Sequence, residues 1–212
     1  MIKVLDQNTI NKIAAGEVIE KPSSVIKELV ENSIDSGATA VTVEVKGGGL
    51  SFMRVTDNGA GINKDEVKLA FKRHATSKLV KVEDLLSISS LGFRGEALAS
   101  IAAVSQVELI SKTADDVTGI RYQIHGGAEI SSEEIGCPNG TTIVVRNLFY
   151  NTPARKKFMK TDATEISYIY DLMCRICMSH PEVSFKFIAN GTDKIFTSGN
   201  GKLKDIIYHI YG

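Results

Sequence analysis

The sequence predicts an α+β domain in which a mixed sheet carries helices on one face. Three observations point there. Alternating apolar and polar residues mark strands, as at Val41, Val43 and Val45 with Thr42 and Glu44 between them. Apolar residues at helical spacing mark helices, most clearly Val25, Ile26, Leu29, Val30 and Ile34. The two kinds of element cluster along the chain and do not alternate regularly, which argues against a doubly wound parallel sheet.

Taken in order, Asp6 or Asn8 can cap a short first helix with Ile10, Ile13 and Ala14 on one side. Pro22 opens the next helix, because proline fits the first helical turn, and Gly37 stands where a helix stop is expected. The run at 41–45, the triplet Gly47-Gly48-Gly49 and the apolar run 50–55 read as a β-hairpin. A helix is predicted over 65–75, with Val67, Ala70, Phe71 and His74 on one side. The pattern weakens over 76–95, as in a lid or binding loop. A helix of small residues follows at 96–103. Strands are predicted at 107–111, 120–124, 128–132 and 141–146, and a helix at 164–178. A hairpin joins 183–189 to 194–197 around Asn190-Gly191. Leu203, Ile206, Ile207, Ile210 and Tyr211 form a last helical stripe, which either packs back on the domain or opens a second one.

The chain has 212 residues, 43% hydrophobic and 24% charged, which excludes a disordered or fibrous protein. Lys+Arg and Asp+Glu both number 25, so a general electrostatic grip on nucleic acid is not indicated, although the local cluster Arg155, Lys156, Lys157 and Lys160 allows a weak, salt-sensitive contact. No apolar run has the roughly 18 residues of a membrane span, and the first residues have no signal-peptide core. Three cysteines make no disulfide framework, so the expected compartment is reducing cytosol. Cys174, Cys177, His180 and Cys137 offer metal-ligating atoms. The first two, however, share a helix with Ile169, Leu172, Met173 and Ile176, where a free cysteine behaves as a small core residue.

Three stretches could carry chemistry. On the Pro22 helix, Glu28, Asn32 and Asp35 fall within an arc of about 60° beside the apolar stripe. A carboxylate and an amide one turn apart can serve a water and a cation, and Mg²⁺ in nucleotide sites needs few protein ligands. Asp57-Asn58-Gly59-Ala60-Gly61 ends a strand: a carboxylate can accept from an exocyclic amine, and two glycines let backbone approach a flat ligand. Gly92-Phe93-Arg94-Gly95-Glu96-Ala97-Leu98 runs from loop into helix, where backbone N–H groups favour phosphate. Each alone also reads as a solvated face, a turn or a flexible loop. Neither standard phosphate fingerprint is present: before Gly201-Lys202, Phe196 stands where a Walker A loop needs glycine, and Leu203 where it needs serine or threonine.

The order of these motifs is far more specific than any one of them. With Lys78 in the loose segment and a late strand opening Gly140-Thr141-Thr142, the chain resembles the GHKL ATPases, which include gyrase, the heat-shock chaperone and sensor histidine kinases. Within them it is similar to the MutL mismatch-repair family over nearly its whole length. Supporting stretches are Ile13-Ala14-Ala15-Gly16-Glu17-Val18, residues 27–37, Arg73-His74-Ala75-Thr76-Ser77-Lys78, residues 91–101, and Leu148-Phe149-Tyr150-Asn151-Thr152-Pro153-Ala154-Arg155.

The resemblance implies the two-layer GHKL (Bergerat) fold with a mostly antiparallel sheet, and ATP and Mg²⁺ as cofactors. It implies that Glu28 activates the attacking water, that Asn32 ligates Mg²⁺, and that Asp57, helped by Thr142, reads the adenine amine. Gly59 and Gly61 make room for the base, with Asp35 and Ile62 in the same binding set. Lys78 and the loop Gly92, Phe93, Arg94 and Gly95, leading into Glu96, Ala97 and Leu98, wrap the phosphates. It further implies an ATPase domain over residues 1–200 with a second domain opening at 201–212, and ATP-driven lid closure and homodimerisation of the full-length protein. Residues 1–212 alone would then show impaired turnover and weak or no dimerisation. Its partners would be mismatch-recognition and other repair proteins. Two alternatives stay open: a nucleotide-gated interaction platform without useful turnover, or the ATPase domain of a related topoisomerase or chaperone.

Overall fold

The computed structural model describes residues 6–73, 75 and 95–212. Asp6 caps α1 (Gln7–Val18), accepting from the Thr9 amide at 3.0 Å. Ile10 and Ile13 of that helix are exposed, while Ala15 and, just beyond its end, Ile19 are buried. α2 (Pro22–Asp35) starts with proline in its first turn, where the missing N–H costs nothing. It ends at Gly37, whose φ of 77° closes the turn. The stripe Val25, Ile26, Leu29 and Val30 is buried.

β1 (Ala40–Lys46) and β2 (Phe52–Asp57) form the predicted hairpin around the glycine turn Gly47–Gly49. α3 is a correction: the helix predicted over 65–75 is a single turn, Val67–Ala70. Phe71 leaves it to pack its ring on Tyr122, 5.3 Å between centroids, and Lys68 pairs with Glu129. Contacts to the neighbouring hairpin thus replace further helical turns. His74 and the segment 76–94 lie outside the described residues.

α4 (Ala97–Val104), β3 (Gln106–Lys112), β4 (Gly119–His125), β5 (Ala128–Ile135) and β6 (Gly140–Arg146) follow. A short α5 (Pro153–Lys156) precedes α6 (Asp162–Ser179), β7 (Ser184–Ala189), β8 (Thr192–Phe196) and α7 (Leu203–Tyr211). Cys174 and Cys177 are buried on α6. Burial, with the neighbouring Cys174 adding to it, pushes the Cys177 thiol up to about 12.

The sheet has eight strands in the order β5-β4-β3-β6-β2-β1-β7-β8, and among the described pairs only β1–β7 is parallel. Its two faces differ. One row of paired residues runs through Ile195, Phe187, Val43, Val55, Ile143, Leu109 and Tyr122, all of them buried. α2 lies on β1 and β2, α4 on β3 and β4, and α6 on β7, with α1 against α4 and α7 against α6 and β8. The opposite face carries a charged ladder in which Glu44 meets Arg54, and Glu108 meets both Arg121 and Arg146. No helix among the described residues is long and apolar enough to cross a membrane.

Candidate functional site

The helix-side rows of the sheet are apolar until the end of β2. One step along the pleat from the Val43–Val55–Ile143–Leu109 row, Val41 pairs with Asp57 and Thr141 with Ser111, and the Thr141 amide joins the two pairs by donating to the Asp57 carboxylate. Polar groups thus enter the helix-covered face at that edge, and each is held. Asp57 accepts from the Ser33 hydroxyl at 2.7 Å through Oδ2, and from the amides of Gly59 at 3.0 Å and Thr141 at 3.1 Å through Oδ1. Ser111 Oγ accepts from the Ile62 amide at 2.8 Å, donates to the Gly140 carbonyl at 3.0 Å, and lies 2.9 Å from Thr141 Oγ1.

The following loop is anchored by its own residues. Asn58 Oδ1 accepts from the amides of Thr39 and Ala40. At Gly59 an added Cβ would stand 1.9 Å from Ser36 Oγ. At Gly61, with φ 75°, it would stand 2.2 Å from the Lys112 carbonyl oxygen. The space these glycines leave is filled by the protein itself, so they serve close chain packing first.

The Ser33–Asp57 bond fixes α2 to this corner. Asn32 precedes Ser33, and Glu28 lies five residues, about 7.5 Å, back along the helix axis. Glu28, Asn32 and Asp35 are all half-buried on the edge of α2. Glu28 lies 3.9 Å from Lys27 Nζ, which also pairs with Glu31 at 3.5 Å. Burial raises the Glu31 carboxyl above its ordinary range, against the pull of Lys27 and with help from the charges of Glu28 and Asp35. That edge of α2 is therefore rich in negative charge and suits a cation shared with another anion.

One assignment needs correction. The pleat puts Thr142 on the open face of the sheet, paired with Thr56 and Ile110, and its hydroxyl donates to Thr56 Oγ1 at 3.1 Å. The hydroxyl on the face of Asp57 is that of Thr141. Lys78, Gly92, Phe93 and Arg94 lie outside the described residues. Gly95, Glu96, Ala97 and Leu98 lie half-buried where α4 begins, Gly95 with φ 62°. Ile62 packs its side chain on the core. Of the basic cluster, Arg155 turns inward, its guanidinium over the Phe149 ring at 5.6 Å and filling the space beside Gly16, while Lys156, Lys157 and Lys160 are exposed. Sequence reasoning also missed Ser33; its signal was a serine inside the buried stripe of α2, where a hydroxyl needs a partner.

A family model described as histidine kinase-, DNA gyrase B- and HSP90-like ATPase matches residues 19–142. A protein named DNA mismatch repair protein MutL from Agathobacter rectalis is 63% identical over the whole chain, which covers 33% of that relative. One of the same name from Caldanaerobacter subterraneus is 49% identical, with 36% covered. The chain thus spans about a third of the length of the curated relatives it matches. Among solved structures, the Aquifex aeolicus MutL ATPase domain complexed with ADP superposes with a TM-score of 0.77 at 31% identity, covering 92% of this chain and 70% of that one. The N-terminal domain of a DNA repair protein gives 0.80 at 26% identity, covering 96% and 60%. Fold, ordered motifs and these likenesses agree: the chain belongs to the histidine kinase-, DNA gyrase B- and HSP90-like ATPase family, in its MutL mismatch-repair branch.

Proposed function

We propose that this chain is the ATP-binding and hydrolysing switch of a MutL-type protein, with the base at Asp57 and the phosphates toward Glu28 and the start of α4. The observation that carries the reading is the Asp57 carboxylate, fixed by three hydrogen bonds beside the turn of α2 that bears Asn32. A carboxylate held that way keeps one acceptor position for a ligand amine, with Thr141 beside it. Glu28, one turn before Asn32, orients and deprotonates the attacking water. Phosphoryl transfer asks a protein mainly for positioning and charge neutralisation, and these residues can supply both.

The residues fit Mg²⁺. Asn32 stands with the carboxylates of Glu28 and Asp35 on the half-buried edge of α2, and an ion that keeps waters and phosphate oxygens takes only one or two protein oxygens. Asn32 would hold it, and bound there it would offset phosphate charge. Lys78 and the 92–95 loop close over the phosphates in this reading, and ATP binding drives dimerisation of the full-length protein. In this reading residues 201–212 lead on into a second domain: α7 packs on α6 and β8 with Ile206 buried, while Leu203, Ile207, Tyr208 and Tyr211 present exposed apolar surface. Residues 1–212 alone would turn over slowly. Other repair proteins are the partners, and Lys156, Lys157 and Lys160 contribute a weak DNA contact. The three free cysteines suit the reducing cytosol.

The test is Glu28→Ala in the full-length protein. ATP binding should persist while turnover falls about 10²–10⁴-fold, the scale for a positioned acid–base group. Equal loss of both would make Glu28 structural. A wild-type protein that holds ATP without hydrolysis in single-turnover assays would point to an interaction platform.

A further inference from the structure

We infer that Ser33 is a positioning residue that sharpens selectivity for a ligand amino group at Asp57. The inference rests on the reading that Asp57 meets the base. An ionised carboxylate offers about four acceptor positions. Both positions of Oδ1 are taken by the amides of Gly59 and Thr141, and one of Oδ2 by the Ser33 hydroxyl. Among the described residues no group takes the second position of Oδ2. That position accepts a single N–H, as a 6-aminopurine provides; a 6-oxo group in the same place would set acceptor against acceptor.

The Ser33 hydroxyl leaves Oδ2 a single further acceptor direction and fixes it. The Ser33 side chain is buried, at 4% exposure, so in the intact protein bulk water does not compete with it for Oδ2. The hydroxyl has a second acceptor within reach, the Leu29 carbonyl at 3.1 Å, but the carboxylate at 2.7 Å is nearer and charged, and charge-assisted bonds are the stronger. Without the hydroxyl, Oδ2 has two open positions. A water entering one can compete for the other and let the carboxylate turn, so the amine contact no longer separates ligands as sharply. Ser33→Ala removes one oxygen from a helix interior where alanine is favoured, and the Leu29 carbonyl keeps its helical partner, so folding should survive.

The experiment titrates the full-length protein by calorimetry with ATP and with purine riboside triphosphate, which lacks only the 6-amino group. Wild type, Ser33→Ala, Ser33→Thr and Asp57→Asn are compared. The expected result is that Ser33→Ala lowers the ATP preference about tenfold, equivalent to about 1.4 kcal/mol, and that Ser33→Thr restores it. If Ser33 only packs α2 on the sheet, both nucleotides weaken by one factor and the preference is unchanged, which overturns the inference. If wild type has no preference, or Asp57→Asn leaves it intact, the reading of Asp57 itself falls and takes this one with it.

Discussion

At Gly61 the backbone is left-handed and passes against the Lys112 carbonyl, so two independent penalties meet any side chain there. Gly61→Ala places Cβ 2.2 Å from a backbone oxygen at φ 75°. The left-handed strain and the overpacking should together cost about 3 kcal/mol. Gly59→Ala meets chiefly the Ser36 hydroxyl, which can swing aside, and should cost about 1 kcal/mol. Thermal melts of the two variants test this; equal losses, or a larger loss at Gly59, would contradict the packing described. The sequence shows that this loop needs glycine, because Gly-x-Gly follows a strand end. It does not show why, since the chain segments that crowd the two glycines come from Ser36 and Lys112, elements brought there only by folding.

Helices were the most legible elements. Their 3.6-residue period sorts apolar from polar positions, so the sequence shows α2, α6 and α7 with nearly their observed limits. β6 was harder: Ile143, Val144 and Val145 are all buried, no alternation survives, and the sequence alone cannot say which of Thr141 and Thr142 faces the helices. The register of β6 against β2 decides it. α3 is shorter than its sequence pattern because the stacking of Phe71 on Tyr122 is a long-range contact. The open face of the sheet illustrates a different balance. Burial pushes the Glu108 carboxyl up, but hydrogen bonds from Arg146 and Arg121 outweigh it and hold the group below its usual range. A carboxyl with a depressed folded pKa adds stability above its unfolded pKa, about 4.3, and loses it as pH falls through the folded value. Glu108→Gln should therefore cost about 1 kcal/mol near pH 7. That deficit should shrink at about pH 3. Urea unfolding at both pH values measures it, and a deficit independent of pH would mean that packing, not charge, holds the triad.

On the scale of the whole molecule, the proposed site is a junction of distant chain segments. Asp57 bonds to Ser33 on α2 and to the amide of Thr141 at the start of β6, while the 58–62 loop reaches β3 through Ile62 and Ser111. In the unfolded chain these groups are separated, so a nucleotide that bridges them binds the native state almost alone. Linkage then fixes the size of the effect: at about 100 times its dissociation constant, such a ligand adds about 2.7 kcal/mol. For a chain of this length that raises the melting temperature by about 5–10 °C. Three substitutions divide the shift by cause. Asp57→Asn should reduce it with or without Mg²⁺, because the base contact needs no metal. Asn32→Ala should remove only the additional shift that Mg²⁺ brings, because the amide serves the ion. Glu28→Ala should leave the shift produced by a non-hydrolysable ATP analogue intact, because the water it orients is needed for cleavage, not for binding. Thermal unfolding of the four proteins with the analogue, with and without Mg²⁺, gives all of these values. An undiminished shift in Asp57→Asn would move the base away from the end of β2, and the three roles would have to be sought on another edge of the sheet.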